Sequence, residues 1–360
     1  MAQLADEINV SSRTLDKFME GGEGLTFLQL RKVATFFGRG TLFFLDSEPV
    51  DEQRAHTAHY RTLTGQKPEA SFSVRQLIER VEKQRQLYLA LREELPAEDY
   101  VNFRAPLFDA QDVDRAAAVV RQWLGLRGVS TFEGYREAVE AKGVLVFRSN
   151  GYAGRWQIAK DSSILGFSLY YATCPVIFVR KTQWEQKQTF TLMHELGHLL
   201  LHRESSIDDD ADMHSAVGHE RDANAFAGKL LVPDSALQQI NDAARPALVE
   251  QYDAWLAPYR RAWGVSGETI LRRLLDTGRL SLEQYRGYRA HVAGLKFDDD
   301  KGGTREYRHR EPKHIFGNTF VKTVMGALAA RQIPATKACA YLDGLKLTDL
   351  RQLERHLAGV

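Results

Sequence analysis

The sequence predicts an α+β fold, predominantly helical, on three observations. Long stretches repeat apolar residues at helical spacing, above all 73-SVRQLIERVEKQRQLYLALREEL-95, where Val74, Leu77, Ile78, Val81, Leu87, Leu91 and Leu95 recur with charges between them. Strand signals are few and clustered, in GVLVF, ILGFSLYY and PVIFV between residues 143 and 179. Helices come first, then this short run of strands, then helices again, which is an α+β order.

Residues 1–48 read as a compact helical unit. Leu4, Ala5 and Ile8 make one short apolar face, Asn9-Val10-Ser11 a turn with Ser11 as N-cap, and Leu15 and Phe18 a second face. Glycines in FMEGGEGLTF interrupt the chain before a third helix through Leu28, Leu30, Val33, Ala34 and Phe37. Two short helices joined by a tight turn form a helix-turn-helix arrangement. Residues 49–105 read as a helical linker region, entered through the polar segment DSEPVDEQ, with the helix from residue 73 as scaffold. Residues 106–240 form the central domain, with helices over 112–124 and 132–142 and Gly143 as a stop. Residues 241–298 are helical, with a Gly-Val-Ser turn before Ile270 and Leu274 that is again helix-turn-helix-like. A C-terminal helical region, 299–360, follows the charged segment KFDDDKGGTREYRHREPKH. Within that segment Arg305, Arg308, Arg310 and Lys313 oppose Glu306 and Glu311, four minus two, and it reads as solvated chain.

Composition excludes several classes. With 44% hydrophobic residues the chain is globular, and 48 Lys plus Arg against 47 Asp plus Glu give no general attraction to nucleic acid or to an anionic membrane. In the N-terminal unit Arg13, Lys17, Arg31, Lys32 and Arg39 face Asp6, Glu7, Asp16, Glu20, Glu23 and Asp46, five minus six. Counterion release needs a surplus of cations, so DNA is a partner that this count does little to favour, and protein docking is the alternative. Cys174 and Cys339 are the only cysteines and lack CxxC spacing, which suits a reducing cytoplasm. The first residues, MAQLADEINV, carry no secretory pattern, and no apolar run reaches the roughly 18 residues of a membrane span.

The chemistry concentrates in 191-TLMHELGHLLLHRE-204. Positions four apart share a helix face, so His194 and His198 can reach one Zn2+, while Glu195 at the edge of that face can take a proton from water activated by the ion. A tetrahedral catalytic zinc needs a third protein ligand and leaves the fourth place open. His202 extends the same face, but three histidines at steps of four span about 12 Å. It is therefore expected to cap the helix or face solvent. Glu220 is the better third ligand. It opens a second helix in 219-HERDANAFAGKLLVP-233, whose Ala223, Phe226, Ala227, Leu230 and Leu231 read as buried and which Pro233 stops. Asn224, one turn on, is placed for its amide oxygen to accept a hydrogen bond from a ligand histidine. Gly197 is explained by close approach of Ala223 or Ala227. The connection 204-ESSIDDDADMHSAVGH-219 reads as a mobile surface loop, PVIFV as the edge strand that would hold an extended substrate, and His214, His219, Tyr170 and Tyr171 as residues to consider for oxyanion stabilisation.

FTLMHELGHLLLH followed about twenty residues later by HERDANAFAGKLLVP, and preceded by GVLVF and PVIFV, resembles the ImmA/IrrE family of zinc metallopeptidases over roughly residues 110–235. The resemblance implies a zincin-like fold, His194, His198 and Glu220 as zinc ligands, Glu195 as general base, and endopeptidase activity, often on a helix-turn-helix repressor. The N-terminal unit resembles an Xre-type helix-turn-helix whose first helix is expected to be missing. Asn224 stands where related zincins more often carry Asp, although this family's own pattern has Asn. The same domain pairing implies two alternatives: a toxin-antitoxin component that acts by partner binding, or a transcriptional regulator with an inert peptidase domain. All three are read as cytoplasmic and compatible with an oligomer; the first two act on or with a protein partner, whereas the third requires binding to DNA.

Overall fold

The computed structural model describes residues 4–5, 8–21, 24–37, 39–45, 57–95, 100–152, 154–295 and 305–358. They fall into two compact units, 1–58 and 59–360. The segment DSEPVDEQ lies outside the described residues.

In the first unit α1 (Ser12–Met19) starts at Ser11, the cap that the sequence predicts, whose hydroxyl accepts the Thr14 N–H. Its successor α2 (Phe27–Phe36) starts at a capping box in which Thr26 and Gln29 satisfy each other's backbone. Leu15 and Val33 meet Ala5, Ile8 and Val10 in a small core, while Leu28 is exposed.

The second unit is built on a four-stranded sheet. Before it come α3 (Ala58–Gln66), α4 (Phe72–Glu93), α5 (Val113–Leu124) and α6 (Phe132–Glu140). Its strands are β1 (Leu145–Arg148), β2 (Ile164–Leu169), β3 (Val176–Val179) and β4 (Ser206–Asp209), in the order β1-β3-β2-β4. The β1–β3 pair is parallel, and β2 runs antiparallel to both β3 and β4. Between β3 and β4 lies α7 (Glu185–Gly197), and α8 (Gly218–Leu231) follows β4. Successive side chains alternate between the faces. Val146, Ile177 and Val179 join a core with α5 to α8, whereas Leu145, Phe147, Val176 and Phe178 join one with α4 and with Ile315, Phe316 and Phe320 near the end of the chain. Both faces are covered, so an unbroken apolar run such as PVIFV is the pattern of an interior strand. The expectation that PVIFV is the edge is corrected accordingly: β3 lies between β1 and β2, and the edges are β1 and β4.

Three helices, α9 (Tyr252–Trp263), α10 (Gly267–Asp276) and α11 (Leu282–Gly294), extend the first core. The Gly-Val-Ser turn joins α9 to α10 through Gly264 at φ +65° and Ser266 as N-cap. A Cβ at Gly264 would overlap the Ser130 carbonyl oxygen, so the turn can close only without a side chain. Gly264→Ala is expected to cost roughly 3 kcal/mol, read as a lowered midpoint in thermal unfolding; an unchanged midpoint contradicts this packing.

The chain ends in α12 (Glu311–Ala329), α13 (Ala335–Tyr341) and α14 (Leu347–Ala358). Residues 305–314 are solvated only in part: Arg305, Glu306, Tyr307 and Arg310 are exposed, yet the segment is anchored. Arg305 holds both Glu311 oxygens at 2.8 and 2.9 Å, and Arg308 adds a bond at 2.7 Å to Glu311 and one at 2.8 Å to Asp343. The charges read as a solvated strand thus fasten the start of α12. Among the described residues no helix is long and apolar enough to cross a membrane.

Candidate metal centre

The centre lies where α7 and α8 cross beneath β2 and β4. Gly197 sets the approach: a Cβ there would sit 3.3 Å from the Ala223 Cα and 3.2 Å from the Phe226 ring. The close neighbour is therefore Ala223, one of the two expected, together with Phe226. On the facing side of α7 the Nε2 atoms of His194 and His198 lie 3.1 Å apart. Glu220 Oε2, from the first turn of α8, is 3.2 Å from one and 3.4 Å from the other. Two ligand atoms each about 2 Å from a tetrahedral ion stand roughly 3.3 Å apart, so these three donors already converge as a divalent metal requires.

A fourth donor enters from an unexpected direction. Residues 204–219, expected as a surface loop, contain β4, and its Asp208 is 1% exposed with Oδ2 3.7 Å from both histidine Nε2 atoms. Glu195, 0% exposed, adds a third carboxylate to the cluster. Its oxygens, with Asp208 Oδ2 and Glu220 Oε2, are buried without a hydrogen bond among the described residues. Three carboxylates and two imidazoles in a largely buried pocket carry surplus negative charge, which a divalent cation offsets. The donor set fits a metal on that ground.

The environment tunes each acid differently. Burial would raise the Glu220 carboxyl, but the imidazoles of His194 and His198, 3.2 and 3.4 Å from Oε2, outweigh it and hold it below the usual carboxylate range. Burial pushes Asp208 up to about 7. Burial first, and then the Asp208 carboxylate beside it, hold Glu195 well above the usual range, the direction a general base needs to work near neutrality. Room for Glu195 comes from Gly166 on β2, where a Cβ would lie 2.7 Å from the Glu195 Oε1.

The remaining candidates are distributed as follows. Asn224 donates through its amide nitrogen to the carbonyls of Asp212, at 2.8 Å, and Ser215, at 3.3 Å, tying down the chain between β4 and α8. Its oxygen, expected to accept from a ligand histidine, is buried without a hydrogen bond among the described residues. His202 fills the place beside the ligand instead, half-buried with Nδ1 3.1 Å from His198 Nδ1. It reaches there because residues His198–His202 form one wide π turn that swings the third histidine back over the second. A His198 whose Nε2 holds a metal carries its proton on Nδ1, from which it would donate to His202. His219 stacks on His202 with ring centres 4.1 Å apart and pairs with Glu204. Tyr171 bonds Glu82 at 3.2 Å, Tyr170 takes the Ser205 hydroxyl through its backbone N–H, and His214 lies 3.5 Å from Glu268.

Beside the centre opens a cavity of about 460 Å³, lined by Phe190 and Thr191 of α7, Met213, Asn224 of α8, and Tyr285 and Tyr288 of α11. Lys187–Asp210, Arg260–Asp253 and Arg289–Glu268 pair at 2.6, 2.6 and 3.1 Å around it, leaving its walls largely apolar with a neutralised rim.

A helix that carries two convergent histidines and an adjacent glutamate, crossed by a helix that brings a third donor, under a small mixed sheet and next to a cavity, defines a metallopeptidase-type domain. Consistently, residues 140–275 match the family model of peptidase family M78, described as the IrrE N-terminal-like domain. The match supports the ImmA/IrrE resemblance and a metal-dependent, metallopeptidase-like enzyme. No curated protein matches the chain.

Proposed function

We propose that the protein is a cytoplasmic zinc-dependent endopeptidase of a regulatory kind, cleaving a protein partner such as a helix-turn-helix repressor. The observation that carries the reading is Glu195, buried next to the converging donors of His194, His198 and Glu220. Zinc held by those three residues would polarise a peptide carbonyl and render water acidic near neutral pH. Glu195 takes the proton of the attacking water and passes it to the departing nitrogen. His202 keeps the His198 ring in register, and the cavity beside α7 accepts a side chain of the substrate. The N-terminal unit serves as an Xre-like module that brings the partner.

The test compares new protein N-termini, by mass spectrometry, in host cells producing the wild type or Glu195→Gln. Termini found only with the wild type are expected and name the substrate. Matching profiles, at rest and under stress, would leave the second reading, a toxin-antitoxin component acting by partner binding. That reading is favoured by Asp208, which offers a fourth protein donor and so a closed centre of structural type.

A further inference from the structure

Two observations on β4 concern the same question, namely what keeps the centre open or shut. The first is the direction of Asp208. Its Oδ1 accepts the Ser206 hydroxyl at 3.0 Å, while Oδ2 is turned to the two histidines and has no hydrogen bond among the described residues. The donor atoms of His194, His198, Asp208 and Glu220 all lie within 4.8 Å of one another. A catalytic centre of this type keeps one position free of protein, whereas four protein donors close it.

The second is the outer edge of β4. Ser206 and Asp208 pair with Ser168 and Gly166 of β2, so the backbone groups of Ser205, Ile207 and Asp209 face outward. An extended substrate joining the sheet next to the metal would need those groups. They are taken. The Gln66 side chain donates to the Ser205 carbonyl at 3.0 Å and accepts the Ile207 N–H at 3.2 Å, reproducing with one primary amide the two bonds of an added strand. The Asp209 N–H goes to Asp212 at 2.8 Å, and Lys67 grips Asp209 at 2.9 Å and Asp212 at 2.7 Å. His59, at the other end of α3, holds the Ser205 hydroxyl at 2.8 Å. A 9-residue helix thus runs along the one sheet edge that delivers a residue to the metal cluster.

We propose that this fold is a latent form in which Asp208 is a fourth protein ligand and α3, through the strand-mimicking amide of Gln66, holds β4 in place. Releasing α3 frees the edge for an extended peptide and lets β4 carry Asp208 off the metal in the same movement. Because α3 begins at residue 58, where the N-terminal unit ends, whatever engages that unit can act on the latch through the chain itself. The latency part rests on the metallopeptidase reading; the ligand and latch assignments do not.

The test uses the full chain and two readouts that need no cleavage. Zinc affinity is measured by competition with a chromophoric chelator, and the Co2+-substituted protein is followed by its visible spectrum. Asp208→Asn, nearly isosteric, is expected to weaken zinc binding about tenfold or more and to change the cobalt spectrum; Asp208→Ala should do the same. Gln66→Ala should keep the fold by circular dichroism, speed amide exchange at Ile207 about tenfold or more, and move the cobalt spectrum toward that of Asp208→Asn. Unchanged zinc affinity in both Asp208 variants overturns the ligand assignment. Unchanged Ile207 exchange, or a cobalt spectrum identical to wild type in Gln66→Ala, overturns the latch. On a peptide substrate Gln66→Ala should cut faster than wild type, and an equal or lower rate overturns latency. If neither protein cuts any peptide while the metal and exchange results appear as expected, the peptidase reading fails and the closed, latched centre stands.

Discussion

Glu195→Gln is expected to lower kcat for peptide cleavage by about a thousandfold, within the range that a positioned acid-base group contributes, while zinc stays bound. Glutamine matches the shape of glutamate and cannot take a proton. The proposed ligand set is untouched, since the donor atoms that converge belong to His194, His198, Glu220 and Asp208. Nor should the fold suffer. Burial already disfavours the charged form of Glu195, so exchanging it for a neutral amide removes a desolvation penalty from a pocket that holds two other carboxylates. The expected pattern is therefore unusual among core substitutions, with a thermal midpoint equal to or above that of the wild type and zinc content unchanged as activity collapses. A variant that retains more than a tenth of the wild-type kcat would show that the proton leaves by another route. A variant that loses its metal would move Glu195 from base to ligand.

Much of this centre was legible because its signal is local. The steps of four from His194 to His198 and from Glu220 to Asn224 are helical geometry, and Gly197 marks the place where two helices touch. Asp208 was not legible, and the reason is physical. It stands in a run of acids, DDDAD, whose composition is that of a solvated loop, and only Ile207 hints at a strand. What surrounds it is assembled from elsewhere in the chain: the histidines of α7 face it, β2 pairs with its strand, and Gln66 and Lys67 bond its neighbours Ser205 and Asp209. His202 was misjudged for a different reason. A straight helix would carry it 1.5 Å further per residue, but the wide π turn folds it back onto His198, and nothing in HLLLH announces that turn. PVIFV, by contrast, did carry the sign of its position, since an unbroken apolar run suits a strand covered on both faces better than an edge.

The largest stability effect is expected at Arg136, far from the chemistry but central to how the sheet meets the C-terminal helix. Its guanidinium is 1% exposed and serves four carbonyls: Val146 on β1, at 3.0 and 2.5 Å, and Lys313, His314 and Ile315 in the first turn and a half of α12, at 3.2, 2.9 and 3.0 Å. Those three carbonyls lie just before Gly317, at φ +76°, where α12 is kinked and the chain turns around the Glu140 carboxylate. Glu140 in turn accepts the Thr319 N–H at 3.0 Å and faces Arg136 at 3.3 Å, so it restarts the helix that the kink interrupts. Arg136→Met keeps the volume but strands a buried carboxylate and several carbonyls, at a cost of about 3–5 kcal/mol. The thermal midpoint should fall by roughly 6–15 °C. The pH dependence supplies an independent check. Burial raises the Glu140 carboxyl above its ordinary value, and Arg136 works against that rise. Without Arg136 the folded chain holds this proton to still higher pH than the unfolded chain does, so stability is greatest below the ordinary carboxylate range and declines as pH climbs through the folded value. The variant should therefore be most impaired at neutral pH and least impaired near pH 4.5, the ordinary value. Adding Glu140→Gln should recover part of the loss and flatten the profile, because the uncompensated charge is gone while the unserved carbonyls remain. If the double variant is no more stable at neutral pH than Arg136→Met, the ion pair contributes little, and the carbonyl bonds of Arg136 alone join α6, β1 and α12.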